Sequence, residues 1–277
     1  QKLEEELDVI LFDRSKKPIE LTEVGEKIVN QARNIVNESE RMQDVVDQEK
    51  GFIGGDFRLV IIPTVMPTLL PMFLKSFIKK YPKVHLKIEE LTTAEIIIKL
   101  NDGHLDAAIA ATPLVQEKIK ERVLYFEPFV GYVPINHRLS SKKYLDRSDL
   151  DINDILLLED GHCFRDGVIN ICKSLKHNSA TDSFQVESGS FETLIKLSNE
   201  GFGMTLLPYL HTLDIPKGEQ KKYLRYFNEP SPAREVSLLY RKSELKMQII
   251  DSLYDIIASI IRGAITFQNV KIISPLR

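Results

Sequence analysis

The chain has 277 residues, 43 % apolar and 28 % charged, with a formal net charge of −3 at pH 7. This is an ordinary soluble composition, long enough for one large or two medium domains, and it holds no run of eighteen apolar residues that would span a membrane. Nor does charge advertise nucleic-acid binding: residues 1–50 carry eight Lys/Arg against thirteen Asp/Glu, where a basic face is the usual electrostatic footprint.

The chain begins at Gln1, inside a helix-like run and without a signal peptide. It reads as a fragment whose first element is missing. Residues 2–12 place Leu3, Leu7 and Ile10 at helical spacing. The aperiodic DRSKKPIEL that follows, with Arg14, Lys16, Lys17 and Pro18, reads as a basic turn or short hairpin. Thr22 is a good helix N-cap with Glu23 in the first turn. The helix after it is expected to reach about Glu49. Its positions Ile28, Ala32, Ile35, Met42 and Val46, with Ser39 in register, follow heptad spacing, so it is expected to pair with a copy of itself. GFIGGD (51–56) reads as a hinge.

From Phe57 strands alternate with helices. FRLVIIP is a strand, MPTLLPMFLKSFIKKYP a helix, VHLKIEEL a strand, TAEIIIKLNDG a helix ended by Gly103, and LDAAIAA a strand. This βαβαβ order predicts a parallel sheet. A second round starts near Leu124 with VLYFEPFVGYVPI. It continues through the strand DILLLED, a helix after Cys163, the strand SFQVES, a helix over 190–200 and the strand MTLLP. The strand EVSLLYR and a helix from about Ser243 to Arg262 close the pattern. Two α/β halves with a late return predict a two-lobed clamshell with a ligand cleft between the lobes.

Both cysteines fall in EDGHCFRDGVINIC, as Cys163 and Cys172. If 164–172 is helical, their Cα atoms stand ~13 Å apart at ~1.5 Å per residue, whereas a disulfide needs roughly 4.4–6.8 Å. The pair bonds only if the helix comes apart, which makes it a candidate redox switch. Two cysteines and no export signal point to a reducing, cytoplasmic compartment. His162 and Arg165 are placed to favour a thiolate at Cys163, and a helix N-terminus would add its dipole. Asp166 is placed to relay a proton, to fix Arg165, or simply to stabilise the first turn. A zinc site built from His162, Cys163, Cys172 and His177 is disfavoured, because structural zinc sites space their cysteines two to four residues apart. No metal and no cofactor are expected.

The order of basic turn, dimer helix, glycine hinge and two-lobed α/β module resembles the LysR-type transcriptional regulators. QKLEEELDVILFDRSKKPIELTEVGEKIV looks like the end of their recognition helix, the wing and the start of the linker helix, and GFGMTLLP like their second-lobe signature. Within that family IPTVMPTLLP, LEDGHCFRDGVINIC and the SFETL segment from Ser190 are similar to OxyR-type hydrogen-peroxide sensors. The first two helices of the winged helix-turn-helix have no counterpart in this sequence.

The resemblance implies a fold and a division of the chain. The fold is α/β, a two-lobed periplasmic-binding-protein-like effector domain behind a linker helix and a partial winged helix-turn-helix. Residues 1–21 form the partial winged helix, 22–50 the linker and 51–277 the effector domain. Lobe I takes about 56–126 plus 231–264, and lobe II about 127–230. The resemblance also implies roles. Cys163 is the peroxidatic residue and Cys172 the resolving one. Thr64, Thr93, His162, Arg165, Asp166 and Arg234 line the peroxide site, and Arg14, Lys16 and Lys17 touch DNA phosphates. The implied partners are a pseudo-palindromic double-stranded DNA operator, hydrogen peroxide, further copies in a homodimer or homotetramer, and RNA polymerase, with no membrane. Two alternatives stand beside it: a LysR-type regulator of a small metabolite, and a thiol peroxidase, which would leave the wing and dimer helix unexplained. A solute-binding protein fits still less well.

Overall fold

A computed structural model describes residues 2–49, 53–172, 188–265 and 269–275. The chain opens with α1 (Lys2–Leu7). Strands β1 (Phe12–Asp13) and β2 (Glu20–Leu21) then pair antiparallel as a small hairpin. The helix expected over 2–12 is therefore shorter. Asp8 takes φ 50°, a left-handed conformation that ends a helix of L-residues. The Glu4 carboxylate instead accepts from the Leu11 and Phe12 amides at 2.8 and 3.2 Å.

Helix α2 (Glu23–Glu49) starts at the expected cap, with the Gly25 amide donating to Thr22 Oγ1 at 2.9 Å. Gly25 is needed for closeness: a Cβ there would lie 2.0 Å from the Leu11 carbonyl oxygen. Ile35, Met42 and Val46 of the heptad seam are 64 %, 66 % and 42 % exposed, so the seam is not covered by the chain's own body.

Strands β3 (Gly55–Ile61), β4 (Val84–Glu90) and β5 (Ala107–Thr112) form the expected parallel unit, joined by α3 (Met66–Lys80) and α4 (Thr93–Asn101). Gly103, at φ 74°, follows the end of α4. Strand β6 (Ile119–Tyr132) is long. Short β7 (Tyr144–Leu145) and β8 (Ile155–Leu156) lead to α5 (Cys163–Ile171). Helix α6 (Phe191–Asn199), β9 (Met204–Pro208), α7 (Tyr209–Thr212), α8 (Lys217–Tyr223) and β10 (Leu224–Phe227) follow. Strand β11 (Ser231–Arg241), α9 (Met247–Ala264) and β12 (Val270–Ile272) complete the order. Helix α9 begins later than the expected Ser243, because Glu244 Oε1 accepts from the Leu245 and Lys246 amides and holds a turn there. The expected strand SFQVES falls almost wholly, and His177 wholly, outside the described residues, as do the first two residues of the glycine hinge.

The strand order β4-β3-β5-β11-β6-β10-β7 mixes parallel and antiparallel pairs. Strand β11 runs antiparallel to both β5 and β6. Two hydrophobic cores result. The first gathers Phe57, Leu59, Phe73, Phe77, Ile109 and Leu253, and the second Phe129, Leu145, Phe164, Val168 and Leu207. Strand β6 serves both: Tyr125 packs in the first and Phe129 in the second. Leu210, from the α7 turn, crosses back into the first core. Removing a side chain such as Phe73 would cost roughly 3–5 kcal/mol. Among the described residues no helix is long and apolar enough to cross a membrane.

Candidate functional site

Helix α5 is only nine residues long, and a helix that short is marginal without tertiary support. Phe164, Gly167, Val168 and Ile171 supply that support by facing the second core. A Cβ at Gly167 would sit 3.0 Å from the Phe129 ring, so the glycine lets the helix approach the sheet, at about 0.8–1.0 kcal/mol of helix propensity relative to Ala. At the far end Arg147 donates to the carbonyls of Asn170 and Ile171 at 3.0 and 3.3 Å. A cation there satisfies orphan acceptors and opposes the negative end of the helix dipole.

Cys163 is the first residue of α5 and Thr93 the first residue of α4. Their side chains meet: Thr93 Oγ1 lies 2.9 Å from Cys163 Sγ. Two helix N-termini thus converge on one sulfur, each biased toward negative charge. Cys163 packs against the first core, whereas Cys172, at the C-cap of the same helix, is buried in the second. Both thiols are free. The intact helix keeps them apart, as the spacing predicts.

Burial pushes the Cys163 thiol above its ordinary pKa. Asp166 adds to the rise, while the Thr93 hydrogen bond and the Arg234 charge oppose it. Burial pushes Cys172 up to about 12, with Asp154 and Asp151 adding and Arg147 opposing. The expected thiolate partners, Arg165 and His162, make contacts with other groups. Arg165 is turned away: its Nη1 donates to the Leu158 carbonyl at 2.8 Å and its Nε pairs with Asp160 at 2.8 Å. Asp160 thus holds Arg165. His162 is buried at the N-cap position of α5, with Nε2 3.4 Å from Glu159 Oε1.

Arg234 enters the site from β11. Its Nη1 donates to Thr64 Oγ1 at 2.8 Å, its Nη2 to the Thr64 carbonyl at 3.0 Å, and its Nε to Glu127 Oε2 at 2.9 Å. The guanidinium lies 5.1 Å from the Phe164 ring centroid. Glu127 is Arg234's cross-strand partner on β6, and its other oxygen accepts from the Leu210 amide at 2.9 Å. A buried arginine in water-poor surroundings needs such a partner. Because Arg234 uses the Thr64 oxygen as an acceptor, the Thr64 hydroxyl proton is left to be donated elsewhere.

The structure thus brings Thr64, Thr93, Cys163 and Arg234 around one end of α5. It holds Arg165 against Leu158 and Asp160 and puts Cys172 at the opposite end. Glu127 and Arg147 are additions. A single carboxylate inside the apolar run VLYFEPFVGY is the signal that marks Glu127; Arg147 has none. Arg14, Lys16 and Lys17 lie at the exposed turn of the β1–β2 hairpin, Arg14 pairing with Glu4 at 3.1 Å and Lys16 with Glu20 at 2.6 Å. Among the described residues no three His, Cys, Asp or Glu side chains gather as a metal site.

Residues 50–259 match the family model described as the LysR substrate binding domain. The hydrogen peroxide-inducible genes activator of Pectobacterium carotovorum subsp. carotovorum is 30 % identical over 243 residues, which are 87 % of this chain and 78 % of that protein. A full-length OxyR variant from Pseudomonas aeruginosa superposes with a TM-score of 0.73 at 31 % identity, covering 93 % of this chain and 85 % of that one. A hydrogen-peroxide-bound OxyR mutant from Corynebacterium glutamicum superposes with a TM-score of 0.72 at 26 % identity, covering 98 % and 87 %.

Proposed function

This chain belongs to the LysR substrate-binding-domain family of transcriptional regulators, and from that premise we propose that it senses hydrogen peroxide through a reversible Cys163–Cys172 thiol/disulfide switch and regulates transcription by binding DNA. The observation that carries the reading is the 2.9 Å Thr93–Cys163 contact at one end of a short helix whose other end buries the second cysteine. The named relative is an activator of hydrogen peroxide-inducible genes, and one similar structure holds hydrogen peroxide.

In the proposed chemistry the Cys163 thiolate attacks one oxygen of hydrogen peroxide. The S–O bond forms as the O–O bond breaks, and hydroxide leaves and takes up a proton as water. Arg234, Thr64 and Thr93 supply the donors that orient peroxide and meet the charge developing on the leaving oxygen. Cys172 then attacks the sulfenic sulfur, the S–S bond forms, and a second water leaves. Sulfur is oxidised by two electrons and peroxide reduced by two. While α5 is intact, Cys172 is too far away and too fully protonated to react. Helix opening therefore precedes closure of the disulfide and frees the Cys172 thiol from the burial that raises its pKa.

Residues 1–21 then act as a partial winged helix whose Arg14, Lys16 and Lys17 touch phosphates, 22–50 as a linker helix and 51–277 as the effector domain. Two linker helices bury their exposed seams against each other, giving a homodimer or homotetramer on a pseudo-palindromic operator, in contact with RNA polymerase. The protein is cytoplasmic and regulatory rather than enzymatic, with peroxide consumed once per switching event. DNA footprints of reduced and oxidised protein test this. They should differ in the wild type and coincide in Cys163→Ser; identical footprints in the wild type would contradict it.

A further inference from the structure

An open cleft of about 310 Å³ lies on the first core's side of the molecule, away from Cys163, between the linker helix and the sheet. Its charged lining is one-sided. Arg33 comes from α2, Arg58 from β3, Lys87 and Glu89 from β4, and Lys99 from the last turn of α4, with His104 from the loop before β5. Four cations thus face a single carboxylate. Glu89 is already shared, 2.9 Å from Lys87 and 3.4 Å from Lys99.

The remaining donors are poorly used. Among the described residues the Arg58 guanidinium makes only long contacts, Nε to Asp106 at 3.5 Å and Nη2 to the Gly103 carbonyl at 3.4 Å, against an ordinary distance of about 2.9 Å. His104 Nε2 is shielded from solvent and has no hydrogen-bond partner among the described residues. Grouped cations with idle donors repel one another unless an anion sits among them.

We propose that this cleft binds a small phosphate-bearing molecule, held by Arg58, Lys87, Lys99 and His104 and closed over by Arg33 of the linker helix. A carboxylate brings one negative charge against the surplus, whereas a phosphate brings about −1.5 to −2 and three acceptor oxygens, which suits a guanidinium fork beside two ammonium groups. The volume is at the small end of the usual ligand range of roughly 300–1,000 Å³. Because Arg33 belongs to the linker and the other donors to the effector domain, the bound molecule ties the two together. This gives a second input to the linker that does not use the cysteines.

The test uses the full chain and inorganic phosphate as probe, with chloride at matched ionic strength as control. The expected result is a saturable rise in Tm with phosphate alone. The half-saturating phosphate concentration should rise by at least about tenfold in Lys87→Gln/Lys99→Gln, a change at exposed ammonium groups that leaves the fold intact, and also in Arg58→Gln. Arg33→Gln should weaken binding too. An equal rise with chloride, or an unchanged phosphate response in the double lysine variant, would overturn the site. An unchanged response in Arg33→Gln would overturn the bridge to the linker.

Discussion

Thr93 Oγ1 and Cys163 Sγ lie 2.9 Å apart, although Thr93 begins a helix packed on the first core and Cys163 begins a helix packed largely in the second. One hydrogen bond therefore does two things. It opposes the rise that burial imposes on the thiol's pKa, and it ties the first residue of α5 to the first residue of α4.

Thr93→Val removes the hydroxyl and keeps the shape. The thiolate then loses one of the interactions opposing burial, and reaction of Cys163 with hydrogen peroxide at neutral pH should slow by about tenfold, the worth of one hydrogen bond to a charged group. Stopped-flow oxidation with trapping of free thiol reads this directly. An unchanged rate would show that Thr93 does not hold the reactive sulfur.

The pH dependence follows from the raised pKa of Cys163, whose first cause is burial. Only the thiolate reacts, and it is a minor species at neutral pH. The oxidation rate should climb by about tenfold per pH unit until pH reaches the folded pKa. The same sign applies to stability. Cys163 and Cys172 contribute stability that is complete below their unfolded pKa and lost as pH rises toward their folded values, for Cys172 about 12. Urea midpoints should therefore fall on the alkaline side in the wild type, and less so in Cys172→Ala after allowance for its lower starting stability.

Arg234 and Glu127 are 3 % and 1 % exposed. Arg234→Met leaves the Glu127 carboxylate buried without its cation, and unfolding free energy from urea titration should drop by about 3–5 kcal/mol. Adding Glu127→Gln should restore part of that loss, because the stranded charge is removed. A double variant as unstable as the single one would show that the pair is not the reason.

Arg147 caps the carbonyls at the C-terminal end of α5. Arg147→Gln should fray that end and speed the second step, closure of the disulfide, several-fold, while leaving the first oxidation of Cys163 unchanged. Mass spectra of samples quenched over time separate the two steps. Equal rates for closure in both proteins would place the barrier elsewhere than in helix opening.

The exposed linker seam carries its own expectation. Ile35→Lys with Met42→Lys changes side chains that are 64 % and 66 % exposed in the single chain, so folding should be untouched. Sedimentation should shift toward monomer. A particle size equal to that of the wild type would remove the linker as the pairing surface.

Much of this was legible in the sequence because local rules governed it. Heptad spacing and the Thr22 cap fixed α2, alternation of strand and helix fixed β3 to β5, and the cysteine spacing fixed the separation across α5. Other features arose from contacts distant in sequence. Arg234 meets Glu127 only because β11 and β6 pair, so the buried carboxylate could be suspected from its apolar strand but not assigned. Proximity in sequence misled for Arg165: two residues are roughly half a helical turn, enough to swing it from Cys163 toward Asp160. Glu4 overrode the helical pattern of 2–12 by bonding amides seven and eight residues ahead. The short strands β7, β10 and β12 carry too few residues for any periodicity to show.

The most direct measurement is peptide mass mapping of the protein before and after a brief pulse of micromolar hydrogen peroxide, with free thiols alkylated at quenching. The account predicts a rapid Cys163–Cys172 cross-link that reductant reverses, and in Cys172→Ser a Cys163 sulfenic acid with no cross-link. Two thiols that remain free and alkylatable after the pulse would contradict it.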